Sequence, residues 1–466
     1  MITDRSHWLT ESERRRAGAY YTPSELVDEL VESALAPVIE DALRNAAAPV
    51  RALLSIRVVD PACGAGAFLV AALEALAERL SAVGGVTVHD ARREVLRRCI
   101  AGVDNDASAV ELCRERLARI AGVPAEDVTG VQLGDSLLAP PPVLLAGPFD
   151  CVLGNPPFLN AIERAGRVER RAALSGIAPE LGGTADESFH FLALAMRITR
   201  PGGRIGMVLP RTVLNAPAAE ALRDPVQTAR HPRRIRVLSR SDHFPGRQVY
   251  VCLLTLGPPG PCEVSAEGRS ATSTMEGANW WRGLRGLLDG APILDGHGPV
   301  IGELFQVTAG MTAADAYHVK PYIVDSRAGN GLKLVTTGLI DPDECLWGAR
   351  TCRYLGEDYR HPRVREDSRL TPALQRRLCN ARRPSVIVAG LSSRIECFLD
   401  ARGEYIGAVS TFAINHPDDD LVALRAVADA LSSPEASRVY EMELGANALG
   451  GGSIRMTSAF LRAFRM

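Results

Sequence analysis

The tetrapeptide Asn155-Pro156-Pro157-Phe158 follows an apolar run, Phe149-Asp-Cys-Val-Leu-Gly154, without a spacer. Two adjacent prolines hold the backbone extended and deprive it of donors. The Pro156 carbonyl and the Asn155 side-chain oxygen are left as fixed acceptors. A planar exocyclic amine needs such acceptors before it can act as a nucleophile. Holding both of its protons pulls the nitrogen toward tetrahedral geometry and frees the lone pair for in-line displacement. Phe158 adds a flat face against which a base could stack. For the tetrapeptide alone, a proline turn capped by asparagine is the competing reading.

Three elements upstream weaken that alternative. Asp60-Pro61-Ala62-Cys63-Gly64-Ala65-Gly66 follows the short apolar run from Ile56. Glycines after a strand let the backbone approach a ligand, and the helix start that follows favours anionic groups. Alone, this is equally a tight strand-to-helix turn. Gly102-Val-Asp104-Asn105-Asp106 places an acid at the end of the next strand, where it can hold both hydroxyls of a ribose. Gly134-Asp135-Ser136-Leu137 places another, able to accept from the amine of a bound adenine. Singly, each acid is as well explained as a helix N-cap. In order, at successive strand ends, they describe one nucleoside pocket at the top of one sheet.

The elements that position these residues read as a doubly wound α/β sheet. Strands are expected at 56–60, 100–104, near 134, at 149–154, 203–209 and 249–256. Helices are expected at 67–80, 107–121 and 187–198, after an N-terminal helix from Ser24 to Ala47 interrupted at Pro37. Such alternation gives a parallel-rich sheet covered on both faces. Residues 1–256 form this domain. Gly257-Pro-Pro-Gly-Pro261 marks a break, and 257–295 reads as a linker. Residues 296–466 form a second domain of mixed α+β character, with helices near 419–431 and 435–444. The polar stretch 160–185 reads as a loop beside the site or a surface insertion.

At 466 residues, 46% hydrophobic and 23% charged, the chain has ordinary globular composition and length for two or three domains. No apolar run approaches the ~18 residues that span a bilayer, and Met1 to Arg16 has no signal-peptide core, so a cytoplasmic protein is expected. The ten cysteines show no C-x-x-C spacing, which argues for reduced, mostly buried thiols and no metal. Net charge is −2, but seven Arg stand against two Asp in 222–247, and eleven Arg against four acids in 350–394. Such local excess fits a phosphate-tracking cleft; a solvated face is the alternative.

With these residues in view, the chain resembles the gamma-class N6-adenine DNA methyltransferases, the TaqI-type and Eco57I-like enzymes of restriction–modification systems. A Tyr-Thr-Pro segment precedes the Gly-rich loop in that family and contacts the methionine end of the cofactor; here Gly18-Ala-Tyr-Tyr21-Thr22-Pro23 holds that place. Asp60 to Gly66 matches the cofactor loop, Asp104 the ribose acid and Asp135 the adenine acid. Asn155 to Phe158 matches the catalytic motif, with Phe for the commoner Tyr. Phe244, in Phe-Pro-Gly-Arg-Gln-Val249, resembles the second aromatic wall for a flipped base. Leu304 to Thr312, Pro384 to Val388 and Gly450 to Arg455 resemble parts of a target-recognition domain.

The resemblance implies a class I methyltransferase Rossmann-like domain, S-adenosylmethionine as methyl donor, and methylation of a flipped-out adenine in double-stranded DNA. It also implies a restriction–modification or phage-defence setting with a possible separate partner, and a monomer or weak dimer. No nuclease motif is found. Tyr21, Thr22, Asp60 to Gly64, Gly66, Asp104, Asn105, Asp135 and Ser136 would hold the cofactor, with Asn155 to Phe158 catalytic. Enzymes acting on a glutamine amide or on RNA adenine share the Asn-Pro-Pro chemistry; the Tyr-Thr-Pro segment and the large C-terminal domain favour DNA. A catalytically silent DNA-specificity subunit is the remaining alternative, and the intact set of chemical residues speaks against it.

Overall fold

The computed structural model describes residues 22–158, 167–181, 185–224, 229–238, 251–266, 268–275, 279–289, 298–445 and 453–466. The chain divides into two units, Met1–Gly290 and Ala291–Met466. No helix among the described residues is long and apolar enough to cross a membrane.

The N-terminal helix runs as α1 (Ser24–Leu30), a π-helical turn (Val31–Leu35) and α2 (Ala36–Leu43). Pro37 lacks an N–H and crowds the turn before it; the widened π turn absorbs both effects, so the helix continues. Leu26, Val27, Leu30, Ala34 and Leu35 are buried in the main core.

The sheet has nine strands: β1 (Val58–Asp60), β2 (Ile100–Asp104), β3 (Val131–Leu133), β4 (Phe149–Gly154), β5 (Thr199–Pro210), β6 (His231–Val237), β7 (Val251–Gly257), β8 (Cys262–Ala266) and β9 (Arg269–Ser273). Their order is β3-β2-β1-β4-β5-β7-β6-β8-β9. The first five are parallel, and the order reverses at β1, between β2 and β4. Ligands of such sheets bind outside the carboxyl ends of the strands at this reversal. Asp60, Asp104, Asp135 and Asn155 all stand at that end. Helices α3 (Ala67–Gly84), α4 (Val88–Cys99) and α5 (Ala107–Ala121) bury their apolar faces in the same core.

Residues 257–289 are not a linker. β8 pairs with β6, β9 pairs with β8, and the helix Trp280–Asp289 packs against both with Trp280 and Trp281 buried. The pairing buries only alternate residues of β8, Cys262, Val264 and Ala266, which is why the stretch reads as polar and small. The first unit therefore extends past residue 256. Part of 160–185 is also regular: α6 (Arg167–Ile177) precedes α7 (Glu187–Ile198).

The second unit is mixed α+β. One antiparallel sheet has Ser385–Ala389 and Thr411–Asn415 at its centre, flanked by Gln306–Ala309 and Cys397–Asp400. Helices Leu421–Leu431 and Pro434–Leu444 share its core through Leu424, Val427, Leu431 and Tyr440. A second four-stranded sheet contains Leu332–Val335 and Pro362–Val364.

Candidate active site

The Gly-rich turn is fixed by its backbone. Cys63 N donates to the Val103 carbonyl at 2.9 Å and Gly66 N to the Cys63 carbonyl at 2.8 Å. Gly64 (φ 50°) and Gly66 (φ 79°) take left-handed conformations that β-carbon-bearing residues disfavour. A Cβ on Gly64 would meet no heavy atom within 4 Å, so the turn leaves open space above it. A Cβ on Gly66 would come 2.5 Å from Cys113 Sγ. Gly66→Ala is therefore expected to lower stability by about 1–3 kcal/mol, from strain and overpacking together. A denaturant titration reads this directly; an unchanged midpoint would contradict it.

Asp60 is almost wholly buried, and its Oδ1 accepts from Ala62 N at 2.9 Å. Gly154 of the neighbouring β4 lies against it; any Cβ there would come 2.9 Å from Asp60 Oδ1. Burial raises the Asp60 carboxyl from 3.8 to about 8, against the Ala62 hydrogen bond and with help from the nearby Asp104 charge.

Asp104 is oriented by two amides: Gly64 N donates to Oδ2 at 2.8 Å and Asp106 N to Oδ1 at 2.9 Å. Asn105 beside it is exposed. Asp135 Oδ1 accepts from Leu137 N and Leu138 N, each at 3.0 Å. Ser136 Oγ donates to the Pro61 carbonyl at 2.6 Å, tying the third strand end back to the Gly-rich turn. Pro61, Ala62, Asp104, Asp135 and Ser136 thus line one rim at the carboxyl edge of the sheet.

Asn155 closes the rim. Its Nδ2 donates to Thr22 Oγ1 at 2.9 Å, across 133 residues of sequence. Thr22 is buried. The contact anchors the Asn155 side chain, and its Oδ1 has no hydrogen-bond partner within the described residues. Phe158 is half-buried against the main core. Tyr21 and Phe244 lie outside the described residues.

Two residues at the site went unnoticed in the sequence. Arg116 of α5 is 1% exposed and donates to the Ala65 carbonyl of the Gly-rich turn. Its signal was present: a charge on the buried face of α5, between Cys113 and Leu117. Arg170 of α6 pairs with Asp135, and nothing in its polar surroundings announced it.

Residues 7–228 match the family described as N-6 DNA Methylase. The chain resembles the Escherichia coli type II restriction enzyme and methyltransferase RM.Eco57I, with 23% identity over 44% of this chain and 25% of that protein. The type II methyltransferase M.MamI of Microbacterium ammoniaphilum is 32% identical over 30% of this chain and 34% of its own. The matches thus span a quarter to a third of these relatives. Among solved structures, the Type IIL restriction-modification enzyme MmeI in complex with DNA aligns over 87% of this chain and 63% of its own, with TM-score 0.53 and 12% identity. A DrdV–DNA complex aligns over 86% and 49%, with TM-score 0.55 and 10% identity. These likenesses establish a shared fold. Within the matched segment, all four strand-end motifs lie on the carboxyl edge of β1 to β4.

The two Arg-rich stretches have different fates. In the first, Arg223 and Arg230 are buried and donate to backbone carbonyls, while Arg234 and Arg236 pair with Glu29 of α1. These four hold the fold and are not a phosphate-tracking surface. In the second, Arg363 and Arg377 are also tied to carbonyls, and Arg382 and Arg383 to acids. Arg353 and Arg376 are exposed, and their side chains make no hydrogen bond or ion pair within the described residues.

Proposed function

We propose that the chain transfers a methyl group from S-adenosylmethionine to the N6 amine of adenine in double-stranded DNA, in a restriction–modification or defence setting. One observation supports the reading above the others: Thr22, from the segment ahead of the Gly-rich turn, anchors the Asn155 amide at the carboxyl edge of β4, with Oδ1 available as an acceptor.

The residues suit the cofactor. The open turn above Gly64 admits a ligand, Asp104 has a carboxylate oriented for vicinal hydroxyls, Asp135 can take an adenine amine, and Asp60 offers a buried carboxyl to positive charge. S-adenosylmethionine, when bound, supplies an electrophilic methyl group. Asn155 Oδ1 and the Pro156 carbonyl hold the two protons of the target amine and direct its lone pair. Phe158 stacks on the base, a contact worth about 1–3 kcal/mol, and offsets part of the few kcal/mol of unstacking a duplex nucleotide. Phe244 is the proposed second wall. The second unit would read the target, with free arginines such as Arg353 and Arg376 on phosphates.

Asp60 gives the cofactor site a pH dependence. An acid whose pKa is raised on folding binds more protons folded than unfolded between pH ~4 and ~8, so its contribution to stability falls across that window. A cationic ligand favours the ionised carboxylate, so proton release accompanies binding below pH ~8. Affinity for S-adenosylmethionine is expected to rise from pH 6 to 8 and then level, and Asp60→Asn should flatten the curve. Calorimetry across this range checks it; a flat wild-type curve would contradict it.

The substrate class is tested by offering labelled cofactor with duplex DNA, RNA and protein in parallel. Label in DNA is expected. Label confined to RNA or protein would favour the alternative use of the same Asn-Pro-Pro chemistry.

A further inference from the structure

The adenine acid is held by more than its own loop. Arg170 Nη1 donates to Asp135 Oδ2 at 2.7 Å, while its Nη2 and Nε donate to Glu187 at 2.5 and 3.2 Å. One turn along α6, Leu174 is buried with Leu137 and Phe191, and Ala62 of the Gly-rich turn packs on that cluster. An ionic and an apolar contact at i, i+4 spacing therefore fasten α6 to the nucleoside end of the site.

The acceptor inventory of Asp135 decides what this does. A carboxylate offers about four lone-pair positions. The Leu137 and Leu138 amides occupy Oδ1, and Arg170 occupies one position on Oδ2, leaving one. We infer that Arg170 is a positioning residue for the cofactor's adenine: it locks the Asp135 carboxylate so that the remaining Oδ2 position accepts the adenine amine, and so sets the preference for a purine that carries this amine. The inference rests on the reading of Asp135 as the adenine acid. Glu187 holds the guanidinium from its other side, so three elements (the loop after β3, α6 and α7) share one charge-assisted junction. Without the cation, Asp135 and Glu187 would repel. Burial pushes the Asp135 carboxyl up, but Arg170 and the two amides outweigh it and hold it below the usual carboxylate range. The acid is thus an acceptor at neutral pH. A lysine would meet both carboxylates only as a compact charge, without the rigid planar fork of the guanidinium.

The test uses the full chain and two probes, S-adenosylhomocysteine and its analogue with hydrogen in place of the 6-amine. Calorimetry should show that wild type prefers the amine-bearing ligand by tenfold or more. Arg170→Ala should narrow that preference by about tenfold, through weaker binding of the amine-bearing ligand alone, and Arg170→Lys should fall between. A merely structural role would lower the melting temperature and leave the preference unchanged. An unchanged preference in Arg170→Ala, or in Arg170→Lys if the alanine variant does not fold, would overturn the inference alone. No preference in wild type would overturn the assignment of Asp135 and the inference with it.

Discussion

Asn155→Ala is expected to lower kcat for methyl transfer by on the order of 10²–10³-fold, with affinity for S-adenosylmethionine unchanged. The side chain is poised for this role by position and by partner. It stands one residue beyond β4, at the reversal of the sheet, and its Nδ2 is engaged by Thr22, which leaves Oδ1 for the target amine. Alanine removes that acceptor and leaves the Asp60, Asp104 and Asp135 contacts in place. Measuring kcat and the cofactor dissociation constant on one preparation separates the two effects. A variant with normal turnover would remove the proposed mechanism.

Asp104→Ala should produce the opposite pattern. Its carboxylate is proposed to take both ribose hydroxyls, and each hydrogen bond to a charged group contributes about 1.5–3 kcal/mol. The same carboxylate orients Gly64 N and Asp106 N, so its loss also loosens the Gly-rich turn. Affinity for S-adenosylmethionine should fall by on the order of 10²-fold or more, with turnover at saturating cofactor much less affected. Equilibrium binding checks this. A wild-type dissociation constant in Asp104→Ala would show that the ribose is held elsewhere.

The carboxyl edge of the sheet was legible because its strands are short apolar runs ending in a chemical residue: Val58 to Asp60, Ile100 to Asp104, Phe149 to Asn155. Burial on both faces of a parallel strand leaves no alternation to misread. The edge hairpin of β8 and β9 was not legible, since half of each strand faces away from the core and the preceding Gly-Pro run resembles a domain break. α6 was hidden for a related reason. Its polar residues and flanking glycines match a loop, and what holds it, Arg170 on Asp135 and Leu174 on Leu137, is tertiary. The Thr22–Asn155 hydrogen bond joins two recognisable motifs, but their meeting depends on α1 lying over the sheet, which no local pattern states. The first Arg-rich stretch misled in the other direction. Charge counts cannot tell a phosphate-seeking guanidinium from one that satisfies buried carbonyls, as Arg223 and Arg230 do.

This site is proposed to methylate the exocyclic amine of adenine in DNA. Mass spectrometry of nucleosides digested from unmethylated duplex DNA, after incubation with the protein and S-adenosylmethionine, decides this. N6-methyladenine is expected, and it should be absent from a parallel reaction with Asn155→Ala. Methylated cytosine in its place, or unmodified nucleosides from a preparation that binds the cofactor, would contradict it.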